Sequence, residues 1–486
     1  MQDLAGSVAP NAATQVPLIV DLDGTLCRTD TLHEGIFGLI ARRPGLILAL
    51  PLWLRGGKAA FKARIADQHV LDPARLPYDD SILEIVTQAR AEGVRTALIS
   101  ASDHRQVQAV ADHLGCFDQA VGTGAPGQTI NLGGQGKADF LVAEYGRGGF
   151  DYLGDSSVDI PVWKAARQAH GVRVTAATRK AAEAEGITLQ AAGKDRGPTW
   201  RSLIRACRPH QWVKNILILL PVLASQQLSG LPAALLAMLC FSLAASAIYI
   251  FNDLVDLPSD RLHPRKRNRP FASGIVSARQ GLLMAAGLLI LSIGLALFLP
   301  SSFLAVLLIY LAATSAYSFW LKRKMMIDVI ALATLYTLRI VAGSMATSIT
   351  LSPWLLVFSM FLFFSLATIK RQAELEDMVS RGVATTLGRN MLPGDLPILQ
   401  AMSVGAAQAA VLVFALYSQD PKVQSHFSQP DLLLIICPLL FLWLGRMQLL
   451  TRRGYMTDDP IVFTFRDRMG LICGGLTLII FALAAA

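Results

Sequence analysis

Three aspartates and a block of basic residues lie side by side in the stretch 252–269. Asp253, Asp256 and Asp260 follow an apolar run at spacings of three and four residues, so on a helix they would share one face. Neighbouring carboxylates repel each other unless a cation lies between them, and carboxylates with substrate phosphate are the usual ligands of Mg²⁺. Bases beside them can bind the phosphate oxygens that the metal does not reach. We predict a site for Mg²⁺ and a phosphorylated substrate, with Asn252, Asp253, Asp256 and Asp260 on the metal and Arg261, His263, Lys266 and Arg269 on the substrate.

A second pair of acids follows the strand-like stretch VPLIV. Asp21 and Asp23 flank a single residue in the sequence DLDGT, so both side chains can point toward one pocket at a strand end. One carboxylate can then attack phosphorus while the other protonates the leaving oxygen. This spacing predicts phosphoryl chemistry in which both aspartates are catalytic.

Further polar residues follow the next strand-like stretches. Ser100 lies in TALIS and can donate a hydrogen bond to a phosphoryl oxygen, and Lys137 can offer the same group a positive charge. Asp155 and Asp159 follow FDYLG and, together with Asp21 and Asp23, supply oxygens suited to Mg²⁺. We predict that these residues complete a phosphate-binding site with one metal ion.

Composition divides the chain into two parts. Of its 486 residues 53% are hydrophobic and 16% are charged, which is too apolar for one soluble globule. Residues 1–195 have ordinary charge density, whereas long apolar runs recur from about Ser202 onward. We predict a soluble domain at 1–195 and a membrane domain at 196–486. In the soluble domain strand-like and helical stretches alternate, which predicts an α/β fold with a mostly parallel sheet and a site at the strand ends.

The membrane part contains nine segments of membrane length. They are 207–225, 231–251, 280–299, 302–321, 325–347, 352–370, 398–418, 430–450 and 467–485. The gaps that hold many Lys and Arg residues alternate with gaps in which Lys422 is the one basic residue. By the positive-inside rule, residues 1–206 are expected in the cytoplasm and the C-terminus outside, in a bacterial-type inner membrane. The start MQDLAGSVAPNAATQVP lacks a basic and apolar signal pattern, which agrees with that orientation.

Polar groups recur at the predicted cytoplasmic ends of the spans. Arg339 lies inside an apolar span, where an unpaired cation is costly, so its expected partner is an acid or a bound phosphate. Taken singly, such residues can also be topology anchors, and the net charge of +9 is explained in the same way without nucleic acid as a partner. The candidate substrate-binding residues are Arg208, Lys214, Asn215, Tyr317, Lys322, Asp328, Arg339, Lys370 and Arg371.

The motifs of the soluble domain resemble those of the haloacid dehalogenase superfamily of phosphatases. DLDGT, LISAS, the lysine of GQGKADF and GDSSVD occur in that family's order over residues 16–190. The resemblance implies a Rossmann-like fold, with Asp21 as nucleophile and Asp23 as acid and base. It also implies that Asp155 and Asp159 take part in holding the Mg²⁺ ion, and that residues 26–92 form a small helical cap. The alternative is a domain that has kept the motifs and lost turnover.

The membrane domain resembles the UbiA superfamily of intramembrane prenyltransferases. The resemblance rests on NDLVDLPSDRLHPRKRNRPFASG and nine spans over residues 200–486, and it implies an all-α bundle. Members bind a diphosphate through Mg²⁺ at two aspartate-rich loops. At the second loop this chain has YSFWLK and then Asp328 alone. With CRPHQWVKN and TLRIVAG, that departure resembles the decaprenyl-phosphate phosphoribosyltransferase branch.

This branch implies a transfer between two phosphorylated substrates. Phosphoribosyl diphosphate would donate 5-phosphoribose to a polyprenyl phosphate, with one or more Mg²⁺ ions and with Asp253 and Asp256 as catalytic residues. The soluble domain would then remove the 5-phosphate, giving polyprenyl-phosphoryl-ribose for the cell envelope. Two alternatives remain. One is a prenyltransferase that uses a prenyl diphosphate and an aromatic or other acceptor, and the other is a lipid-binding or transport protein with an inactive phosphatase domain.

Overall fold

The computed structural model describes residues 15–126, 131–194, 197–380, 382, 391–425, 427–456 and 459–486. The chain forms two compact units. The first contains Met1–Ala206 together with Asp253–Leu282, and the second contains Cys207–Asn252 together with Leu283–Ala486. The segment that carries the three aspartates of the NDxxDxxxD motif therefore packs with the first unit. The domain boundary at residues 195 and 196 stays a prediction.

The first unit is built on a six-stranded parallel sheet, which confirms the predicted α/β class. The spatial order is β3-β2-β1-β4-β5-β6. Because the order reverses at β1, the crevice beyond the carboxyl ends of β1, β2 and β4 is where such sheets bind ligands. The strands are β1 Leu18–Val20, β2 Thr96–Asp103, β3 Gln119–Thr123, β4 Asp151–Gly154, β5 Gln168–Val172 and β6 Leu189–Ala192.

Helices cover both faces of this sheet and enclose two apolar clusters. The helical cap in the insert between β1 and β2 is shorter than the predicted range 26–92. The fourth helix of the insert packs through Ile82 and Val86 into one of the two apolar clusters of the sheet. Only the first three helices pack around a separate cluster, which is formed by Leu39, Phe61 and Ile65. The helices of this unit are α1 Thr31–Arg42, α2 Leu50–Leu54, α3 Lys58–Gln68, α4 Asp80–Ala91, α5 His104–Leu114, α6 Gln135–Tyr145, α7 Ile160–Ala165, α8 Ala176–Ala184, α9 Trp200–Ala206 and α12 Leu257–Leu262.

The second unit is a bundle of helices, as predicted. Within the described residues, eight helices are long and apolar enough to cross a membrane. The predicted first span, 207–225, is not among them because it forms a 3₁₀ helix at Pro209–Leu219 followed by a five-residue α-helix, with prolines near the start of each. Its helices are α10 Leu220–Ala224, α11 Leu231–Val255, α13 Ala278–Ala296, α14 Ser301–Phe319, α15 Ile327–Thr347, α16 Pro353–Ser380, α17 Leu396–Ser418, α18 Pro421–Gln424, α19 Ile436–Arg452, α20 Pro460–Thr464 and α21 Arg468–Ala485.

The helix that leads into the aspartate motif ends within the motif. Helix α11 ends at Val255, Asp256 forms the break, and Asp260 lies in the short helix α12. Pro258 occupies the first turn of α12, where its missing N–H would have no helical partner anyway. The break turns the chain between the first and last aspartates of the motif.

Candidate active sites

The predicted nucleophile and the predicted lysine lie together at the end of β1. The Lys137 Nζ lies 3.0 Å from the Asp21 Oδ1, and both side chains are buried. Lys137 also donates a hydrogen bond to the Tyr152 hydroxyl (2.8 Å), which in turn donates to Asp159 (2.8 Å). Burial alone would lower the pKa of Lys137, but the Asp21 and Asp159 carboxylates raise it, so the ammonium group stays charged. Tyr152 was not selected from the sequence, since a tyrosine inside an apolar strand looks like core.

Three carboxylates of this site are arranged as ligands for a metal ion. Asp21, Asp155 and Asp159 each offer an oxygen within 4.8 Å of the others. Burial, followed by the charges of Asp159 and Asp21, raises the pKa of Asp155 well above its usual value, a cost that a cation would relieve. Gly24 has φ +75, and a Cβ there would lie 2.2 Å from an Asp155 oxygen, so only glycine leaves room for this carboxylate. An all-carboxylate set fits Mg²⁺.

The predicted acid, Asp23, lies outside that group of three among the described residues. Its Oδ1 accepts the backbone N–H of Thr31 (2.8 Å), and its Oδ2 accepts the Ser102 hydroxyl. Burial, with the nearby charges of Asp30 and Asp21, raises the pKa of Asp23 to about 7. The side chain can therefore hold a proton near neutral pH, as a general acid must. Its assignment as a metal ligand stays a prediction.

The serine in contact with the acid is not the one that the sequence selected. Ser100 is buried in β2, and its Oγ accepts the Ser102 N–H (3.3 Å). The strand continues to Asp103 with an irregular register after Ser100, and the Ser102 hydroxyl is the one that reaches Asp23.

The pKa of Asp23 leads to a testable pH dependence. If the protonated carboxyl is the acid, hydrolysis of a small phosphomonoester should fall as pH rises through about 7. The Ser102 hydrogen bond lowers the pKa of Asp23, so Ser102→Ala should move this limb of kcat/KM to higher pH. Because wild type and variant are measured with the same substrate, the ionisation of the substrate affects both pH profiles equally, and the difference between the profiles reports on the enzyme. A limb that stays in place or moves to lower pH would contradict the assignment.

The aspartate motif is held by one of the arginines predicted to bind substrate. Arg269 Nη1 donates to Asp253 Oδ1 (3.2 Å) and to Asp260 Oδ2, and both carboxylates are buried. Asp256, at the helix break, is half-buried. The motif and the basic block therefore form one charged group within the first unit, in which Arg269 partly neutralises the acids.

Arg261 has a protein partner on helix α1. Its guanidinium binds both carboxylate oxygens of Glu34 (2.6 and 3.0 Å), and its Nε donates to the Ala272 carbonyl (2.9 Å). Both side chains are almost fully buried. Lys266 is exposed, whereas the His263 Nδ1 accepts backbone N–H groups of its own loop. The predicted phosphate ligands of this block thus differ in how readily they can reach a substrate.

In the second unit, Asp459 gathers several of the predicted cations. Its Oδ2 accepts hydrogen bonds from Lys214 (2.8 Å), Lys370 (3.1 Å) and the Tyr336 hydroxyl (2.7 Å). Burial would raise the pKa of Asp459, but the two lysines more than offset it and hold the pKa below its usual value. Sequence reasoning missed this aspartate, which also caps helix α20 through Ile461.

The protein partners of Arg339 among the described residues are neutral groups, and its contact with a substrate phosphate stays a prediction. Its Nε donates to the Asn215 side chain (2.9 Å), and the remaining nitrogens reach the Leu335 carbonyl and the Tyr310 hydroxyl. The guanidinium also lies over the rings of Tyr310 and Tyr336. Amide, carbonyl and aromatic groups can solvate an arginine without removing its charge.

Three of the candidate substrate-binding residues, Tyr317, Asp328 and Arg371, lie in one cluster. Arg371 lies 2.7 Å from Asp328, donates to Glu374 (2.6 Å) and donates to the Tyr317 hydroxyl (2.6 Å). The side chains of Arg371 and Asp328 are 1% and 2% exposed. Lys322 is half-buried in the turn Leu321–Arg323, and Arg208 lies over the Tyr249 ring. The aspartate at the second loop is therefore paired with an arginine.

Known proteins match both parts of the chain. Residues 216–469 match the UbiA prenyltransferase family, and residues 18–164 match the haloacid dehalogenase-like hydrolases. The uncharacterized protein y4nM of Sinorhizobium fredii is 36% identical over 97% of this chain and 91% of its own length. Decaprenyl-phosphate phosphoribosyltransferase of Mycobacterium tuberculosis is 34% identical over 44% of this chain and 73% of its own length. A UbiA homologue of Archaeoglobus fulgidus, solved with GPP and Mg²⁺, covers 58% of this chain and 99% of its own at 18% identity and a TM-score of 0.45.

Fold and sites together define a polytopic membrane protein that carries a hydrolase-type α/β domain. The chain belongs to the UbiA prenyltransferase family, with a haloacid dehalogenase-like hydrolase domain at its N-terminal side. Both expectations of family membership are thereby confirmed.

Proposed function

We propose that the membrane domain transfers 5-phosphoribose from phosphoribosyl diphosphate to a polyprenyl phosphate. The observation that carries this choice is the pairing of Asp328. A second metal-binding loop would need carboxylates that face a substrate, whereas Asp328 is buried in an ion pair with Arg371. A prenyl diphosphate held between two aspartate-rich loops is therefore disfavoured. The likeness to decaprenyl-phosphate phosphoribosyltransferases supports the same choice.

In this proposal the aspartate motif binds the diphosphate. Asp253, Asp256 and Asp260 would hold Mg²⁺, which stabilises the negative charge that leaves with pyrophosphate. Arg269 keeps Asp253 and Asp260 in place beside the basic block. An anionic phosphate oxygen of the lipid attacks the anomeric carbon of the ribose, the bond from that carbon to the diphosphate breaks, and no strong general base is needed.

Phosphate groups of the substrates need cationic partners of their own. Lys214, Lys370 and Arg339 are linked through Asp459, Tyr336 and ring faces into one cluster that carries more positive than negative charge. Lys370 is partly exposed, which gives this cluster access to its surroundings. We assign to it the binding of a substrate phosphate monoester group.

We also propose that the hydrolase domain removes the 5-phosphate from the transfer product. Asp21 attacks phosphorus, the bond to the ribose oxygen breaks, and Asp23 gives that oxygen its proton. Water, deprotonated by Asp23, then releases phosphate from Asp21. Lys137 balances the charge of Asp21, and Asp155 would help to hold a Mg²⁺ ion that screens the phosphoryl oxygens. The domain would lie on the cytoplasmic side of a bacterial-type inner membrane.

The experiment that tests both proposals is product analysis. Purified full-length protein is incubated with phosphoribosyl diphosphate, a polyprenyl phosphate and Mg²⁺, and the lipids are analysed by mass spectrometry. We expect polyprenyl-phosphoryl-ribose and one released pyrophosphate per transfer. Failure to form any lipid-linked pentose, with turnover of a prenyl diphosphate and an aromatic acceptor instead, would establish the prenyltransferase alternative favoured by family membership alone.

Contacts inside the first unit support a link between the two reactions. Arg261, beside the aspartate motif, binds Glu34 on helix α1. The first residue of the same helix, Thr31, donates its backbone N–H to Asp23. A displacement of α1 would therefore disturb both the contact with the aspartate segment and the hydrogen bond to the acid.

The Glu34–Arg261 ion pair leads to a prediction in which a change at Glu34 affects the transfer reaction and a change at Arg261 affects the hydrolysis. Glu34→Gln should lower pyrophosphate release about tenfold because Arg261, beside the aspartate motif, loses its partner. Glu34 is itself an acid and would not bind the donor's phosphates, so this effect would be indirect. Arg261→Gln should lower hydrolysis of p-nitrophenyl phosphate by a similar factor, since a buried charge without its partner destabilises the contact. The double variant should lose no more than either single one. Glu84→Gln, in the exposed pair with Lys194, is the matched control. If Glu34→Gln changed only the hydrolysis and Arg261→Gln changed only pyrophosphate release, the link would be refuted.

A further inference from the structure

One segment of the cap exposes large apolar side chains. The segment Pro44–Leu54, here called the apolar loop, consists of a 3₁₀ helix at Pro44–Leu48 and helix α2. Leu48 is 85% exposed, Leu52 62% and Leu54 52%, and Ile47 is exposed as well. Soluble surfaces rarely gather so many large apolar groups in one short stretch without a function.

The opposite side of the apolar loop is anchored in the cap. Leu46, Leu50 and Trp53 pack against the cluster of Leu39, Phe61 and Ile65. The loop is therefore folded, with one face buried and the other presented to the surroundings. Its exposed leucines therefore belong to an ordered surface of the cap.

Basic residues flank the apolar loop on both sides. Arg42 and Arg43 precede it and Arg55 follows it, and all three are exposed. The sequence from Arg42 to Ala66 contains no Asp or Glu. A short helical segment with leucines on one side and arginines at its ends has the chemistry of a peptide that lies in the headgroup region of a membrane with anionic lipids.

Two further features favour a lipid surface over a protein partner. The same chain carries eight helices of membrane-spanning character, so the cap is tethered to a bilayer at high effective concentration. Helix α9, which leads toward the membrane domain, shows the same combination: Trp200 and Ile204 are exposed beside the exposed Arg201 and Arg205. Tryptophan and arginine are the residues that anchor chains at membrane interfaces.

We propose that the apolar loop inserts into the surface of the bilayer, with Leu48 and Leu52 in the acyl region and Arg42, Arg43 and Arg55 at anionic headgroups. The loop then holds the cap, whose first helix contacts Asp23 through Thr31, against the lipid surface. If the proposed function is correct, this brings the site to a phosphate ester whose lipid tail stays in the membrane.

Photo-crosslinking in the full-length protein tests the insertion. Replacing Leu48 with benzoylphenylalanine, in nanodiscs that contain phosphatidylglycerol, should give lipid adducts detectable by mass spectrometry. The control is the same replacement at Val70, an apolar residue just after helix α3 that is 78% exposed and lies outside the loop. We expect at least tenfold more lipid adduct at position 48. Equal yields at the two positions, or adducts to a second copy of the chain, would overturn the proposal.

A kinetic arm measures the consequence for catalysis. The double variant Leu48→Glu with Leu52→Glu should raise the KM for a lipid-linked phosphate ester about tenfold and leave hydrolysis of p-nitrophenyl phosphate unchanged, whereas Val70→Glu should change neither. An unchanged KM for the lipid-linked ester would show that the loop does not serve the reaction. If wild type hydrolyses no lipid-linked ester, the proposed function fails, and the crosslinks still decide the insertion.

Discussion

Replacing Asp253 with asparagine should reduce pyrophosphate release from phosphoribosyl diphosphate by about 100-fold or more, the usual cost of losing one charge-stabilising group at a reacting centre. Asp253 is 4% exposed and lies 3.2 Å from Arg269. Asparagine keeps the shape of the side chain but removes the anionic oxygen that Mg²⁺ prefers. It also removes one of the two carboxylate charges beside Arg269, so the charge of the motif becomes less negative and the metal binds more weakly.

The measurement is the rate of labelled pyrophosphate release at increasing Mg²⁺ concentration. Asp431→Asn, at an exposed aspartate outside the motif, serves as the matched control and should behave as wild type. Hydrolysis of p-nitrophenyl phosphate by the same preparation reports whether the variant is folded. A variant that keeps its phosphatase activity and also releases pyrophosphate at the wild-type rate would remove Asp253 from the site.

Asp21→Asn should stop the second reaction and leave the first intact. The variant lacks the nucleophile, so no covalent phosphoryl group forms, and the lipid product should retain its 5-phosphate. Lys137 keeps Asp159 as a neighbour at 3.6 Å, and the Tyr152 hydrogen bonds remain, so the fold around the site should persist. In the mass spectrum we expect the phosphorylated lipid to replace the dephosphorylated one almost completely.

The control for this variant is Asp139→Asn, at an exposed aspartate of helix α6 that contacts only Gln135 among the described side-chain hydrogen bonds. It should give the same lipid products as wild type. Adding back a small amount of wild-type protein should convert the accumulated phosphorylated lipid. Identical products from wild type and Asp21→Asn would refute the coupling, and a loss of all lipid-linked pentose would point to a wider structural defect.

The proximity of Asp21, Lys137 and Asp155 could be anticipated from the sequence because two of them follow strand ends. Asp21 directly follows β1 and Asp155 directly follows β4, and parallel strands bring such ends to one edge, whereas Ser100 lies within β2. Ser102 and Tyr152 were missed. Their partners, Asp23 and Lys137, depend on register and side-chain direction across strands, which a single sequence does not reveal.

The membrane site was anticipated less completely. The residues were found from their charge at span ends, but their partners were not. Asp459 contacts Lys214 across 245 positions of the sequence, and no periodicity links the two. For Arg339, an acid or a bound phosphate was the expected partner, and the sequence gave no sign of the Asn215 side chain and the two tyrosine rings that it contacts. The segment 207–225 does not form one long α-helix, because prolines near the start of its two parts favour a 3₁₀ helix and a short α-helix, and mean hydropathy does not take account of them.

The first compact unit is discontinuous in sequence, and this limits how the protein can be divided. A fragment that ends at residue 195 would contain Glu34 but not the segment 253–282 that supplies Arg261. Such a fragment would leave the buried Glu34 carboxylate without its arginine, and helix α1, whose Thr31 binds Asp23, would lose that contact. Since the first unit is made of two separate segments, no single cut of the chain isolates it, and an experiment on this unit alone needs residues 253–282 as a companion segment.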